Sequence, residues 1–503
     1  MKIYFYKISL AFLATALIFL TLAPRDVSAI DGKLYQAGKI PIAQLNGSFK
    51  EMGRQYGSLL KPQINSFYQK AIVENFPSGP KMTRQQILDY AKTNYDKYPS
   101  RIKELFNGMA ETSGLDSDKL MLLDQYPLLT EIVKTGGCTT ISAWGSYTGG
   151  NPLVFAKNED WLPYFQNFND SLVVVVYNPD DGSRSVASVC NAGQVSTMNE
   201  MNDAGLALAE QYVPQWGEVT NPSDMPFYVK LLSLFLDSPN FATFDAGIRN
   251  YRPPFNSVIN VADANKGFSY EITNSESKQR AAQPDGLLVA ANHFVDSSWK
   301  IPANITSSGD WTESVGRYNN LIALGEKYKG TINASVLKQI LDTPKSQGGA
   351  TFVDDPGFLT IFQYVAIPSE LTLWLKAPGY QDWVEVKLGN LFKSMNTQSA
   401  LDIGHIGNDL KFNISCAQYQ GNRYQFSLAY SPAPTDSNIW ILDIASFKQL
   451  EKSSVTCLVL GNDLKLNLYG EYGGIVYSFS MNYTPTPNDP LIWKMDVSTL
   501  KVK

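Results

Sequence analysis

The sequence predicts an α+β fold with its parts in series, and three observations carry that prediction. Between Gly47 and about Ile132 apolar residues recur at three- and four-residue steps, the period of amphipathic helices. From Cys138 the texture changes to short β-prone runs, without the strict strand-helix alternation that a doubly wound sheet requires. In residues 402–503 one β-rich unit occurs twice.

The elements follow in order along the 503 residues. Met1-Lys2 precede an almost wholly apolar run from Ile8 to Ala23, and Val27-Ser28-Ala29 supplies a small-x-small cleavage signal, so residues 1–29 read as a secretory signal peptide. An uncleaved membrane anchor is the alternative that the length of the run leaves open. The mature chain, from about Ile30, is therefore expected to be secreted, extracellular or periplasmic. In the segment 30–137, Met52, Tyr56, Leu59, Leu60, Ile64 and Phe67 share one helical stripe, and Ile102, Leu105, Phe106 and Met109 another. Pro77, Pro80, Pro99 and Ser113-Gly114 punctuate them. A small helical unit with no chemistry of its own is expected there.

The region 138–395 contains strand-like runs at Leu153 to Ala156, Leu172 to Tyr177, Ser185 to Val189, Leu206 to Ala209, Ser257 to Val261 and Leu287 to Ala291, with turn signals such as Asp180-Asp181-Gly182 between several of them. Helical stretches at Met225 to Asp237, Phe241 to Arg249 and Val336 to Leu341 interrupt them. In 402–503, Ile406-Gly407-Asn408-Asp409-Leu410-Lys411 returns 54 residues later as Leu460-Gly461-Asn462-Asp463-Leu464-Lys465. Phe426, Tyr430, Pro432, Trp440 and Asp443 return 53 residues later as Phe479, Tyr483, Pro485, Trp493 and Asp496. Two tandem antiparallel β-units are expected.

A composition 44% hydrophobic and 12% aromatic supports a large core. A net charge of −5 gives no electrostatic footprint for nucleic acid, so partners are expected to be small molecules or surfaces. No glycine-rich dinucleotide fingerprint or phosphate loop is present, and no cofactor is expected. The four cysteines, Cys138, Cys190, Cys416 and Cys457, are too few for a disulfide scaffold and show no metal-ligand spacing. A Cys416–Cys457 disulfide suits an oxidising compartment, and spacing alone leaves their Cα separation open.

Cys138 follows Gly136-Gly137 at the start of the β region, and the chain has two histidines, His293 and His405. The local signature of a papain-like nucleophile is missing, His405 sits in a polar loop, and His293 reads as a structural histidine. One base needs no side chain. If the backbone is cut between Gly137 and Cys138, the α-amine of Cys138, with a usual pKa of about 7.7–8.0, stands beside a thiol of about 8.5. The pair is matched for proton exchange near neutral pH. Gly137 tolerates the backbone geometry of an attack on its carbonyl. The competing reading of Cys138 is a buried small hydrophobe.

Gly137-Cys138-Thr139-Thr140, followed by Ala156-Lys157-Asn158-Glu159-Asp160-Trp161, resembles the signature of the isopenicillin N acyltransferase family, relatives of choloylglycine hydrolases and penicillin V acylases among the N-terminal-nucleophile hydrolases. Leu45 to Gly57 and Asn107 to Leu115 resemble the family's prosegment. Met201 to Leu206, Ala262 to Glu271, Ala291-Asn292-His293-Phe294 and Ser314 to Arg317 follow in the family's order. The resemblance covers roughly Leu45 to Leu388 and does not reach the repeats.

The resemblance implies a four-layer αββα fold, self-cleavage between Gly137 and Cys138, and an acyl-cysteine intermediate in the attack on a linear amide of an N-acyl compound. It makes 30–137 a prosegment and 138–395 the catalytic domain. Cys138 would be nucleophile and, through its amine, base; Asp160 would hold that amine. Asn292 would donate to the oxyanion, and Arg317 would complete the network. Two positions depart from the related bile-salt and penicillin acylases, which carry arginine where Lys157 stands and asparagine where Tyr212 aligns beside Gln211. Lys157, Asn158, Gln211 and Tyr212 are thus candidates for the second oxyanion donor or for substrate contacts. Trp144, Tyr147, Trp161, Tyr164 and Phe165 crowd the nucleophile in sequence and, where they line the site, favour an apolar acyl group. Hydrolysis is favoured over acyl transfer, because water outnumbers acyl donors outside the cell. The alternatives are a lipid-directed hydrolase, of N-acyl-lipid amidase or phospholipase B-like type, and an inactive fold that binds a cell-surface polymer through its repeats.

Overall fold

The computed structural model describes residues 32–76, 83–126, 137–195, 198–214, 216, 225–280 and 285–393 with their side chains, and beyond these the backbone of strands within 411–502. The expected signal peptide, His405 and Cys457 lie outside the described residues, and with Cys457 the expected pairing to Cys416.

Two sheets face each other. The first has nine strands in the order β1-β2-β5-β6-β7-β8-β9-β10-β11. These are β1 (Lys33–Ala37), β2 (Ile40–Gly47), β5 (Leu172–Pro179), β6 (Val186–Asn191), β7 (Asn199–Asn202), β8 (Ala207–Tyr212), β9 (Ser257–Ala262), β10 (Gly267–Ile272) and β11 (Ser277–Arg280). Only β2 and β5 pair in parallel. The second sheet is antiparallel, in the order β12-β3-β4-β13-β14-β15. It contains β3 (Gly137–Ala143), β4 (Val154–Trp161), β12 (Leu287–Ala290), β13 (Leu359–Ile367), β14 (Thr372–Ala377) and β15 (Gln381–Lys387).

Helices cover the outer face of each sheet. On the nine-stranded sheet lie α1 (Phe49–Leu59), α2 (Lys61–Tyr68), α3 (Arg84–Asp96), α4 (Ser100–Ser113), α5 (Ser117–Asp124), α6 (Phe227–Asp237) and α7 (Phe241–Arg249), of which α1 and α6 touch its strands directly. Behind the six-stranded sheet lie α8 (Gly309–Lys327) and α9 (Ala334–Asp342). Ile141, Ala156 and Val289 of that sheet pack with Leu321, Leu337 and Ile340 of these helices in one core. The result is an α+β architecture of helix, sheet, sheet and helix. No helix among the described residues is long and apolar enough to cross a membrane.

The segment 30–137 differs from the helical unit expected. Residues 33–47 form two strands, and Ile40, Ile42, Ala43 and Leu45 are buried because β2 is an interior strand between β1 and β5. A short apolar run beside a strong helix signal does not announce itself as a strand. The helices are not independent either: Tyr56 meets Tyr177 of β5 edge to face, and Phe67 meets Phe168. Helices α1 and α4 cross where glycines let their backbones touch. A Cβ on Gly53 would sit 2.1 Å from Leu105 O, and one on Gly108 would sit 2.1 Å from Lys50 O.

A third sheet comprises β16 (Lys411–Tyr419), β17 (Asn422–Ala433), β18 (Asp436–Gln449), β19 (Lys465–Tyr472), β20 (Ile475–Thr486) and β21 (Asp489–Val502). Its order is β16-β17-β18-β21-β20-β19, two three-stranded meanders joined through β18 and β21. The Pro432↔Trp440 pairing in the first meander has its counterpart in Pro485↔Trp493 of the second, 53 residues on.

Candidate active site

The hairpin of β3 and β4 sets the site. Its register pairs Cys138 with Glu159 and Thr140 with Lys157, while Gly137 pairs with Asp160 and Thr139 with Asn158. Because side chains alternate across a sheet, the first set faces the nine-stranded sheet and the second faces α8 and α9. Contacts agree on both sides. Gln211 of β8 donates to Thr140 Oγ1, and Arg317 of α8 reaches Asp160.

Strand β12 pairs with β3 as far as Ala290, opposite Thr140. Beyond it the Asn292 side chain takes over: its Oδ1 accepts from Cys138 N at 2.7 Å. Arg317 ties the same atoms together. Its Nη2 donates to Asn292 Oδ1 at 2.9 Å, and its Nη1 to Cys138 O at 3.0 Å and to Asp160 Oδ2 at 3.5 Å. The guanidinium lies over Phe352, and its Nε donates to Glu313 Oε1 at 2.8 Å. Asp160 Oδ1 accepts from Thr360 Oγ1 at 2.6 Å. Cys138, Asp160, Asn292 and Arg317 thus meet, and they meet around the backbone of residue 138. Gly137 itself is ordinary extended strand, and a Cβ there would make ordinary van der Waals contact, 3.4 Å from Asp160 Cβ and 3.6 Å from the Phe352 ring, so in the uncut chain neither conformation nor crowding demands glycine there.

The thiol side is a buried charge cluster. Lys157 Nζ lies 2.7 Å from Glu159 Oε2, both side chains being almost fully buried. Trp161 Nε1 and Asn199 Nδ2 donate to the same carboxylate, at 2.7 and 3.3 Å. Burial raises the Cys138 thiol well above its usual range; Glu159 raises it further and Lys157 opposes. Burial pushes Asp160 up to about 7 against the pull of Arg317, and Glu210 to about 7 against that of Lys157. His293 is driven down to about 3 by burial and by Arg280 and Arg317, and its Nδ1 is taken by Ser314 Oγ at 2.8 Å. It is a neutral structural histidine.

The remaining candidates divide. Asn158 points away from the thiol and is held by Thr351 and Gln363, at 2.9 Å each. The Gln211 amide is engaged at both ends, by Thr140 and Asn260. Tyr212 contributes its backbone carbonyl, which accepts from Asn292 Nδ2 at 2.7 Å. Among the described residues no His, Cys, Asp and Glu cluster could hold a metal ion. Sequence reading missed Glu159, Thr360 and Phe352. The first was within reach, since a hairpin turning between Ala143 and Val154 puts residue 159 opposite 138. The other two come from β13 and the loop before it, whose approach no local signal gives.

No protein-family profile matches the chain. Protein dcd1B of Dictyostelium discoideum is 28% identical over 193 residues, a match covering 32% of this chain and 37% of that one. The chain thus spans little more than a third of that relative's length. Solved structures to which it is similar include a Caenorhabditis elegans N-acylethanolamine-hydrolyzing acid amidase ortholog (13% identity, 46% of this chain and 93% of that one, TM-score 0.35). A variant of the conjugated bile acid hydrolase from Clostridium perfringens follows (13% identity, 50% and 93%, TM-score 0.36), as does the penicillin V acylase from Agrobacterium tumefaciens (15%, 51% and 88%, TM-score 0.34). At these TM-scores the likenesses carry no weight of their own.

Proposed function

We propose that this protein is a self-processing amidohydrolase of the N-terminal-nucleophile type, cleaving a linear amide of an N-acyl compound through a thioester on Cys138. One observation carries the reading: the polar network of Asn292, Arg317 and Asp160 converges on the backbone nitrogen and carbonyl of Cys138 rather than on its thiol. A structural cysteine has no need of such a network, whereas a residue whose nitrogen becomes a free amine does.

In this reading the Cys138 sulfur adds to the Gly137 carbonyl, the C–N bond breaks with the proton passing to the departing nitrogen, and water hydrolyses the resulting thioester. The products are a Gly137 carboxylate and a Cys138 α-amine that stays within reach of Asn292 Oδ1. In turnover that amine takes the thiol proton as sulfur attacks the substrate carbonyl, then gives it to the leaving amine. Water releases the acid. Asn292 Nδ2, now on Tyr212 O, is the group available to the oxyanion once it turns from that carbonyl. Asp160, ionised beside Arg317 once the pH passes about 7, holds the ammonium form. Secretion places the enzyme outside the cytoplasm, and the repeated β-sheet serves as an accessory unit holding a cell-surface polymer.

Intact-mass analysis and N-terminal sequencing of purified protein test this. The expected result is a chain beginning at Cys138 that is absent from Cys138→Ala. A single uncut wild-type chain with no amidase activity would overturn it.

A further inference from the structure

Asn292 sits just past the end of a ladder. Among the described residues β12 is an edge strand and stops at Ala290, so no strand pairing fixes the backbone that carries the Asn292 amide. Two side chains of the other sheet take hold of that backbone, one on each side. Upstream, Arg280 of β11 donates through Nη2 to the carbonyl of Val289. Downstream, Glu271 of β10 accepts from Val295 N at 2.6 Å, from Asp296 N at 3.2 Å and from the Trp299 indole at 2.7 Å. The two holders are themselves a pair. Strands β10 and β11 run antiparallel with Ser269 opposite Arg280 and Glu271 opposite Lys278, so Glu271 and Arg280 are diagonal neighbours on one face. Arg280 Nη1 lies 3.9 Å from Glu271 Oε1, and both side chains are buried.

We propose that Glu271 and Arg280 are a positioning pair for Asn292: they fix where its amide stands against Cys138, and they act on self-cleavage and amide hydrolysis only through it. The proposal rests on the reading of Asn292 as partner of the Cys138 amine and of the oxyanion. A role confined to folding accounts less well for the contacts. A buried ion pair adds little net stability over apolar residues of the same volume. The segment also has anchors of its own, since His293 bonds to Ser314 of α8 and the Phe294 ring packs on Trp216 and Trp299, with centroids 5.0 and 4.9 Å apart. What Glu271 and Arg280 add is the placement of the backbone between residues 289 and 295. Asn292 works through bonds of 2.7 and 2.9 Å at Oδ1 and 2.7 Å at Nδ2, and a shift of about 1 Å in such a group costs on the order of 10²-fold in rate. The Glu271 carboxylate meets donors only, so a glutamine there must turn its NH2 towards one of them and lose at least one of these bonds whichever way it faces.

Hydrogen exchange read by mass spectrometry on uncut, full-length Cys138→Ala tests the pair without turnover, because the amide of residue 138 is the donor to Asn292 Oδ1. Adding Glu271→Gln is expected to speed exchange of that amide about ten-fold and to leave the amides of β5 unchanged. Arg280→Met, which removes the upstream hold, is expected to act in the same direction. In an Asn292→Ala background the amide has already lost its acceptor, so Glu271→Gln is expected to change its exchange by less than about two-fold. With Cys138 intact, Glu271→Gln is expected to lower kcat per processed chain on an N-acyl anilide by about ten-fold or more, with KM within about two-fold. An unmoved residue-138 amide, an equal rise in β5, a full effect that persists in Asn292→Ala, or a loss confined to KM would each overturn the positioning role. If exchange responds as expected and the wild-type protein hydrolyses no N-acyl anilide, the amidase reading fails while the hold on Asn292 stands.

Discussion

Asp160 is the residue whose titration the fold has moved most usefully. Burial raises it to about 7 from a free value near 3.9, with Arg317 opposing. In the window between those values the folded chain binds a proton that the unfolded chain has released. Its contribution is therefore fully present below about pH 4 and lost as pH rises through 7, a change on the order of 4 kcal/mol. Urea unfolding of the uncut Cys138→Ala protein at pH 4.5 and 7.5 should show that fall, and adding Asp160→Asn should remove one group's share of it. A slope that Asp160→Asn leaves unchanged would mean the carboxyl titrates normally. Lys157 gives a prediction of the opposite kind. Replacing it with Met leaves Glu159 buried without its cation, at a cost of about 3–5 kcal/mol, whereas Lys157→Met combined with Glu159→Gln should recover most of the loss. Equal urea midpoints for the single and double variants would refute that coupling.

At the level of elements, the fate of the segment before Cys138 follows from β2. That strand lies inside the nine-stranded sheet, paired on both edges, and α1 packs its buried face onto the same core. Cutting the chain at Gly137 breaks one covalent bond and none of these contacts. The two pieces of processed protein should co-elute from a sizing column in native buffer and separate only in denaturant. Elution of the catalytic piece alone would show that the segment is dispensable to the sheet. This strand was also the element least legible in the sequence. The strong helical periods at α1, α4, α6 and α7 are plain in the sequence, as are the strand-like runs of β4 and of the valine-rich β5, whereas the pairing of β3 with β4 is not. Strand β2 was hidden because a strand buried on both faces loses the alternation that marks one. At the site, Cys138, Asp160, Asn292 and Arg317 were legible because they sit in local motifs. Thr360 and Phe352 were not, because the β13–β4 pairing that brings in the first, and the packing on α8 that brings in the second, are non-local.

Across the whole molecule, the chain after β15 crosses back to the first sheet and closes the two together. Leu391 O accepts from Gln44 Nε2 at 2.6 Å and from Asn178 Nδ2 at 3.0 Å, and Lys393 N donates to Asn178 Oδ1 at 2.5 Å. Leu388, Leu391 and Phe392 are buried in the shared core. Among the described residues, every group that contacts Cys138 lies before this latch, so the site is expected to form without the repeats. Truncation after Lys393 should therefore leave the appearance of the Cys138 chain and the thermal midpoint within error of the full-length protein, while attachment to a surface polymer is lost. Truncation after Lys387 should behave differently. It strips three apolar side chains from the core, a loss of about 1.5–3 kcal/mol per side chain, and takes one partner, the Leu391 carbonyl, from each of the Asn178 and Gln44 amides, which keep Asn46 and Tyr35. A shorter form that melts with the longer one would show that residues 388–393 do not fasten the two sheets, and a longer form that fails to process would show that the repeats take part in forming the site.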